Sequence, residues 1–226
     1  MKKLLLIIII ISLGAGFSSC KRELNEKTSA QNSQYSSKCT VVIDAGHGGK
    51  DNGTQGVDGT PEKDINLSIS LALYDYFRVC GINSVLIRNG DYEFYKNGEK
   101  RTRSDLYNRL DFINTFENGV LISIHQNHFE EESQWGTQIW YSANNPESKI
   151  MADSILSTVK EYLQPDNKRN NKVSGDNYYL LYKAIKPSIM VECGFMSNKK
   201  ENERLKQSEY QKDMAFCIMS SICNIV

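Results

Sequence analysis

Hydrophobic and polar residues change period repeatedly along this chain. Short runs rich in Val, Ile and aromatic side chains stand at 40–44, 83–88, 120–125, 137–141 and 188–193. Bounded by glycine or polar residues, such runs predict strands. Between them apolar positions recur at helical spacing over 61–79, 101–116, 146–163 and 209–224. In the first of these, Ile65, Ile69, Ala72, Leu73, Tyr76 and Phe77 share one stripe; Thr60 is available as a cap and Pro61 suits the first helical position. Strands alternating with helices predict an α/β fold: one domain with a mostly parallel twisted sheet, flanked by helices on both faces. No internal repeat interrupts the pattern.

The N-terminus follows different rules. Lys2 and Lys3 precede an apolar run over 4–13, the layout of an export signal. The run is shorter than the roughly 20 residues a membrane-spanning helix needs. Phe17-Ser18-Ser19-Cys20 is similar to a bacterial lipobox, with Phe17 where Leu is usual, so residues 1–20 read either as a lipoprotein signal or as an uncleaved anchor. Both place the rest of the chain outside the cytoplasm, tied to the membrane. Residues 21–38 are rich in Lys, Glu, Ser, Asn and Gln and cannot bury a core, so they read as a polar tether to a domain at 39–226. Without Cys20, Cys39, Cys80, Cys193, Cys217 and Cys223 remain, mostly in apolar stretches. They read as small packing residues; one disulfide is possible, but its pairing is not legible.

Charge removes one class of partner. With 27 basic against 27 acidic residues in 226, the chain lacks the electrostatic footprint of a nucleic-acid binder.

Candidate chemistry collects at strand ends, where ligands gather in open α/β sheets. An apolar strand runs into Asp44-Ala45-Gly46-His47-Gly48-Gly49, and Leu121-Ile122-Ser123-Ile124-His125 repeats the design. Glu62 opens the first helix across a glycine-rich loop from His47. Each residue has a bland reading: a turn or core histidine, or a carboxylate complementing the helix dipole. Together, two imidazoles and a carboxylate match the protein half of a catalytic zinc site, with the fourth position left for water. Glu192 ends a further apolar strand. It is either a buried structural acid or a group that works on metal-bound water, as general base and then as acid. His128 follows Asn127 in a loop and is read as solvated or supporting rather than as a ligand.

The ordered motifs Asp44-Ala45-Gly46-His47-Gly48-Gly49-Lys50-Asp51, Glu62-Lys63-Asp64, Ser123-Ile124-His125-Gln126-Asn127, Gly136-Thr137 and Val191-Glu192-Cys193-Gly194-Phe195-Met196-Ser197-Asn198 resemble the zinc-dependent N-acetylmuramoyl-L-alanine amidases of the type 3 class. The resemblance spans nearly all of 39–226. It implies that His47, Glu62 and His125 hold zinc, that Glu192 is the catalytic acid/base, and that Asn127 lies near the metal and contacts substrate. The implied reaction cleaves the amide between N-acetylmuramic acid and L-alanine in peptidoglycan. An activating protein partner stays open. Within the family the chain is similar to the single-domain spore-germination amidases, including its Gln134-Trp135-Gly136-Thr137 stretch. Two alternatives share the pattern: a zinc carboxypeptidase, which needs a cationic pocket for a terminal carboxylate, and a non-catalytic wall-binding lipoprotein, which does not need Glu192. A glycosidase would need opposed carboxylates instead of a histidine pair.

Overall fold

Six strands form one sheet in the order β2-β1-β3-β6-β4-β5: β1 (Thr40–Ala45), β2 (Ser84–Leu86), β3 (Gly119–Asn127), β4 (Gln138–Tyr141), β5 (Lys172–Val173) and β6 (Ser188–Phe195). The computed structural model describes residues 39–95, 105–223 and 225. The export signal, lipobox and tether lie outside these residues, as do 101–104 of the second predicted helix. Neighbouring strands are parallel except β4, which runs antiparallel to β6. The predicted α/β architecture with a mostly parallel sheet is therefore the one observed.

Helices cover both faces because the central strands are apolar on both. Val41, Ile43, Ile122, Ile124, Ile189 and Val191 pack into one core, while Val42, Leu121 and Met190 pack into another. The larger core is closed by α1 (Glu62–Val79), α3 (Glu147–Tyr162) and α6 (Ser208–Ile222), the smaller by α2 (Asp105–Ile113) and α4 (Tyr179–Lys183). The predicted α1 stripe faces inward: Ile65, Ile69, Leu73 and Phe77 are buried. Burying each such side chain contributes about 1.5–3 kcal/mol, and truncating Ile69 to Ala would cost about 2–5 kcal/mol.

Three details differ from expectation. Helix α1 begins at Glu62, with Pro61 at the N-cap position and no side-chain cap, so Thr60 does not cap it. Loop carbonyls do that work: Glu62 N donates to Thr54 O and Lys63 N to Asn52 O. Strand β2 is shorter than 83–88, because Arg88 turns in beneath the β1 loop instead of continuing the ladder. Three elements were not predicted: β5, α4 and α5 (Lys199–Leu205). The five cysteines in the described region are free thiols, and no helix among the described residues is long and apolar enough to cross a membrane.

Candidate metal centre and active site

The sheet presents its functional side chains at the carboxyl ends of β1, β3 and β6. β1 ends at Ala45 and the chain turns at Gly46 into His47, which has φ 62°, a left-handed conformation that costs a non-glycine residue about 1–3 kcal/mol. Two buried arginines fasten this turn. Arg88 donates from Nε to Ala45 O (2.8 Å) and from Nη2 to Gly46 O (2.9 Å). Arg109, on α2, donates from Nη1 to Ala45 O (2.8 Å) and from Nη2 to His47 O (2.6 Å). Gly46 leaves no room for a side chain: a Cβ there would lie 2.2 Å from His125 Nε2.

Glu62 is the hub. Oε1 accepts from Gln126 N (3.0 Å) and Asn66 Nδ2 (3.1 Å), and Oε2 accepts from Thr54 N (2.9 Å). Both imidazoles meet the same carboxylate: His125 Nδ1 is 3.0 Å from Oε1 and His47 Nε2 is 3.2 Å from Oε2. One potential ligand atom from each of His47, Glu62 and His125 falls within 4.8 Å of the other two. Gly53 admits this packing, since a Cβ there would lie 2.5 Å from Glu62 Oε2. Asp51 orients His47 from behind, with Oδ2 2.7 Å from Nδ1, the supporting hydrogen bond usual for a metal-binding histidine.

Electrostatics follow from this packing. Burial alone would lower the His47 imidazolium, but the hydrogen bond and charge of Glu62, then those of Asp51, raise it to about 9. Burial opposes ionisation of Glu62, yet its contacts with His125 and His47 hold it well below the usual carboxylate range. Glu192 behaves oppositely. Burial pushes it up to about 7; the charge of Glu62 adds to this, while those of His125 and His47 oppose it. Its Oε2 is buried and has no hydrogen-bond partner.

Glu192 sits in register with His125 across β3 and β6, so both side chains project on one face into a cleft of about 560 Å³ that also contains His47, Glu62, Asn127 and His128. Cys193 points the other way, into the larger core. Asn127 lines the cleft, and its Oδ1 accepts from His128 N at 2.8 Å. His128 lines the cleft but stands outside the three-residue cluster.

The structure thus brings His47, Glu62, His125 and Glu192 together and places Asn127 beside them. The sequence reading did not single out Arg88, Arg109 or Glu201. Glu201 accepts from Gly136 N (2.9 Å) and Phe195 N (2.8 Å), tying the loop before β4 to the end of β6. A signal for its helix was present: Asn198 followed three residues later by Glu201 is a helix-start pattern, and Asn198 Oδ1 does cap α5.

A pair of imidazoles and a carboxylate at the strand ends of an α/β sheet, with a separate orphaned carboxylate in the same cleft, is the donor set of a metal-dependent hydrolase. The chain belongs to the N-acetylmuramoyl-L-alanine amidase family, whose profile matches residues 41–224, and its activity is that of a peptidoglycan amidase. A germination-specific N-acetylmuramoyl-L-alanine amidase of Bacillus subtilis is 30% identical over 186 residues, covering 80% of this chain and 77% of the relative. Among solved structures, the CwlD amidase of Clostridioides difficile in complex with the GerS lipoprotein is 36% identical, with TM-score 0.75 over 81% of this chain and 95% of that one. The amidase AmiC2 of Nostoc punctiforme is 30% identical, with TM-score 0.73 over 83% and 97%.

Proposed function

We propose that this amidase is zinc-dependent, with His47, Glu62 and His125 holding the metal, Glu192 as general base and then acid, and Asn127 contacting substrate. One observation carries the reading: Glu192 Oε2 is buried without a partner beside the convergent His47, Glu62 and His125 donors. A buried carboxylate without a partner is costly, and a cation held by the three neighbours would offset that cost. Nitrogen and carboxylate donors suit zinc.

When bound, the metal supplies Lewis acidity toward the lactyl carbonyl and toward water. Glu192, poised near neutrality, takes the proton of the attacking water and returns it to the alanine nitrogen as the C–N bond breaks. The products are a lactyl carboxylate on the sugar and a stem peptide with a free amino group. Asp51 keeps the His47 imidazole oriented throughout.

The same reading makes 1–20 an export signal with a candidate lipobox, 21–38 a tether and 39–226 the catalytic domain, so that the domain works in the cell envelope. A Bacillus anthracis relative described as an uncharacterized cell wall amidase, 27% identical, supports this placement. The CwlD relative bound to the GerS lipoprotein supports a place for a protein partner here as well. Mass spectrometry of peptidoglycan treated with the purified chain, with and without a chelator, tests the function. Release of stem peptides that stops on chelation and returns with zinc is expected; chelator-resistant release would remove the metal from the mechanism.

A further inference from the structure

A second cavity, of about 810 Å³, is lined by Lys168, Arg169 and Lys172 together with Gln138, Trp135 and Asp166. The sheet connects it to the metal cleft. His125 on β3 is in register with Glu192 on β6, and Glu192 with Gln138 on β4. Register partners project to the same face, one strand spacing of about 4.8 Å apart. Gln138 of the second cavity therefore stands beside Glu192 of the first. One row back, Met190, Trp140 and Lys172 continue outward across β6, β4 and β5, and Lys172 Nζ lies 5.2 Å from the centroid of the Trp140 ring.

The cations of this cavity are available. Lys168 and Lys172 are exposed, and among the described residues neither enters an ion pair. Arg169 is pre-organised: its guanidinium stacks on Phe195 at 4.1 Å, Nε donates to Trp135 O (2.6 Å) and Nη2 to Gln134 Oε1 (2.7 Å). Nη1 makes no hydrogen bond among the described residues, so a fixed donor remains on the fork. Asp166 is the single carboxylate among the lining residues. Three cations against one anion favour an anionic ligand.

We propose that this ledge is a subsite for a carboxylate of the substrate's stem peptide. It rests on the amidase reading and deepens it by assigning a part of the substrate. Two strand spacings separate β6 from β5, roughly 10 Å. An extended peptide covers that distance in about three residues at 3.3 Å each. The recognised carboxylate therefore lies about three residues from the cut amide, too far for the C-terminal residue of a carboxypeptidase substrate.

The test uses N-acetylmuramoyl tetrapeptides whose carboxylates are either free or amidated, with the zinc-loaded chain and its Lys168→Gln, Lys172→Gln double variant. Arg169 is left intact because it also packs. For the free-acid substrate the double variant should show KM raised about tenfold with kcat unchanged, the order expected from losing charge-assisted contacts made equally in ground and transition states. Amidated substrate should have a raised KM with the wild type and be indifferent to the substitutions. An unchanged KM on the free acid, or an equal rise on the amidated substrate, would overturn the subsite while turnover persists. No peptide release from any substrate by the wild type would overturn the amidase reading along with it.

Discussion

Arg109 Nη2 donates to the carbonyl of His47 at 2.6 Å, while Nη1 of the same buried guanidinium pairs with Asp44. The conformation of a candidate ligand is thus coupled to an ion pair inside the smaller core. Burial opposes ionisation of Asp44, but the charge of Arg109 and the hydrogen bond from Ser123 outweigh it and hold the carboxyl below its usual range. Arg109→Met would strand Asp44 as an uncompensated buried charge and release a carbonyl of a left-handed residue. Breaking one side of a buried pair costs about 3–5 kcal/mol. Urea denaturation should show a lower midpoint at unchanged slope. A loss under about 1 kcal/mol would mean the loop holds itself.

Metal uptake should be pH-dependent with a defined sign. In the metal-free fold, His47 titrates at about 9 against 6.5 when unfolded, and Glu192 at about 7 against 4.5. Both folded values lie above the unfolded ones, so at these two groups the metal-free fold holds protons that the unfolded chain releases, and their contribution to stability falls as pH rises. The His47 contribution is fully present below pH 6.5 and lost through about 9; that of Glu192 is fully present below 4.5 and lost through about 7. A metal must displace the His47 proton. Its affinity should therefore rise about tenfold per pH unit from 7 to 9, with proton release visible by calorimetry in two buffers. A pH-independent affinity over that interval would remove His47 from the ligand set.

Gly46→Ala should damage the centre without touching a ligand. The added Cβ would meet the His125 ring at 2.2 Å from Nε2. The imidazole must swing away, and we expect metal affinity to fall by about 10–100-fold, the range seen when a ligand's support is lost. Competition against a chromogenic chelator measures it. Wild-type affinity in this variant would show that His125 is not held where the metal binds.

Cys193 offers a control. It faces the larger core, fully buried, and burial holds its thiol well above the usual range by removing the thiolate from water. It is therefore no nucleophile. Cys193→Ala should keep most turnover per folded molecule while costing stability; abolished turnover in a folded, metal-loaded variant would contradict this.

What the sequence disclosed, and what it hid, follows from how each residue earns its position. His47, Glu62, His125 and Glu192 were legible because each lies at or within a few residues of the end of an element whose apolar pattern is strong. Arg88 and Arg109 were not: both are about 1% exposed, yet in a single sequence a buried arginine looks like a surface one. Strand β5 escaped because both its residues are exposed, leaving no apolar signal. The cationic ledge was invisible for a related reason. Lys168, Arg169 and Lys172 belong to a polar stretch whose meaning depends on β5 lying beside β4.

Glu192→Gln separates catalysis from architecture. The amide is nearly isosteric and leaves His47, Glu62 and His125 in place, so metal binding should persist. Turnover should fall by on the order of 10²–10⁴-fold, the usual contribution of a positioned proton transfer. Stability should move the other way. Above pH 7 the wild-type metal-free fold carries an ionised carboxylate whose Oε2 has no partner, and neutral Gln removes that charge. The metal-free variant should therefore melt at or above the wild-type temperature at pH 8. A structural acid would give the reverse pair: lower melting temperature and a near-normal rate per bound metal. Stem-peptide release and thermal melts on the same preparations decide between them, and equal rates in wild type and variant would exclude Glu192 as the group that moves the proton.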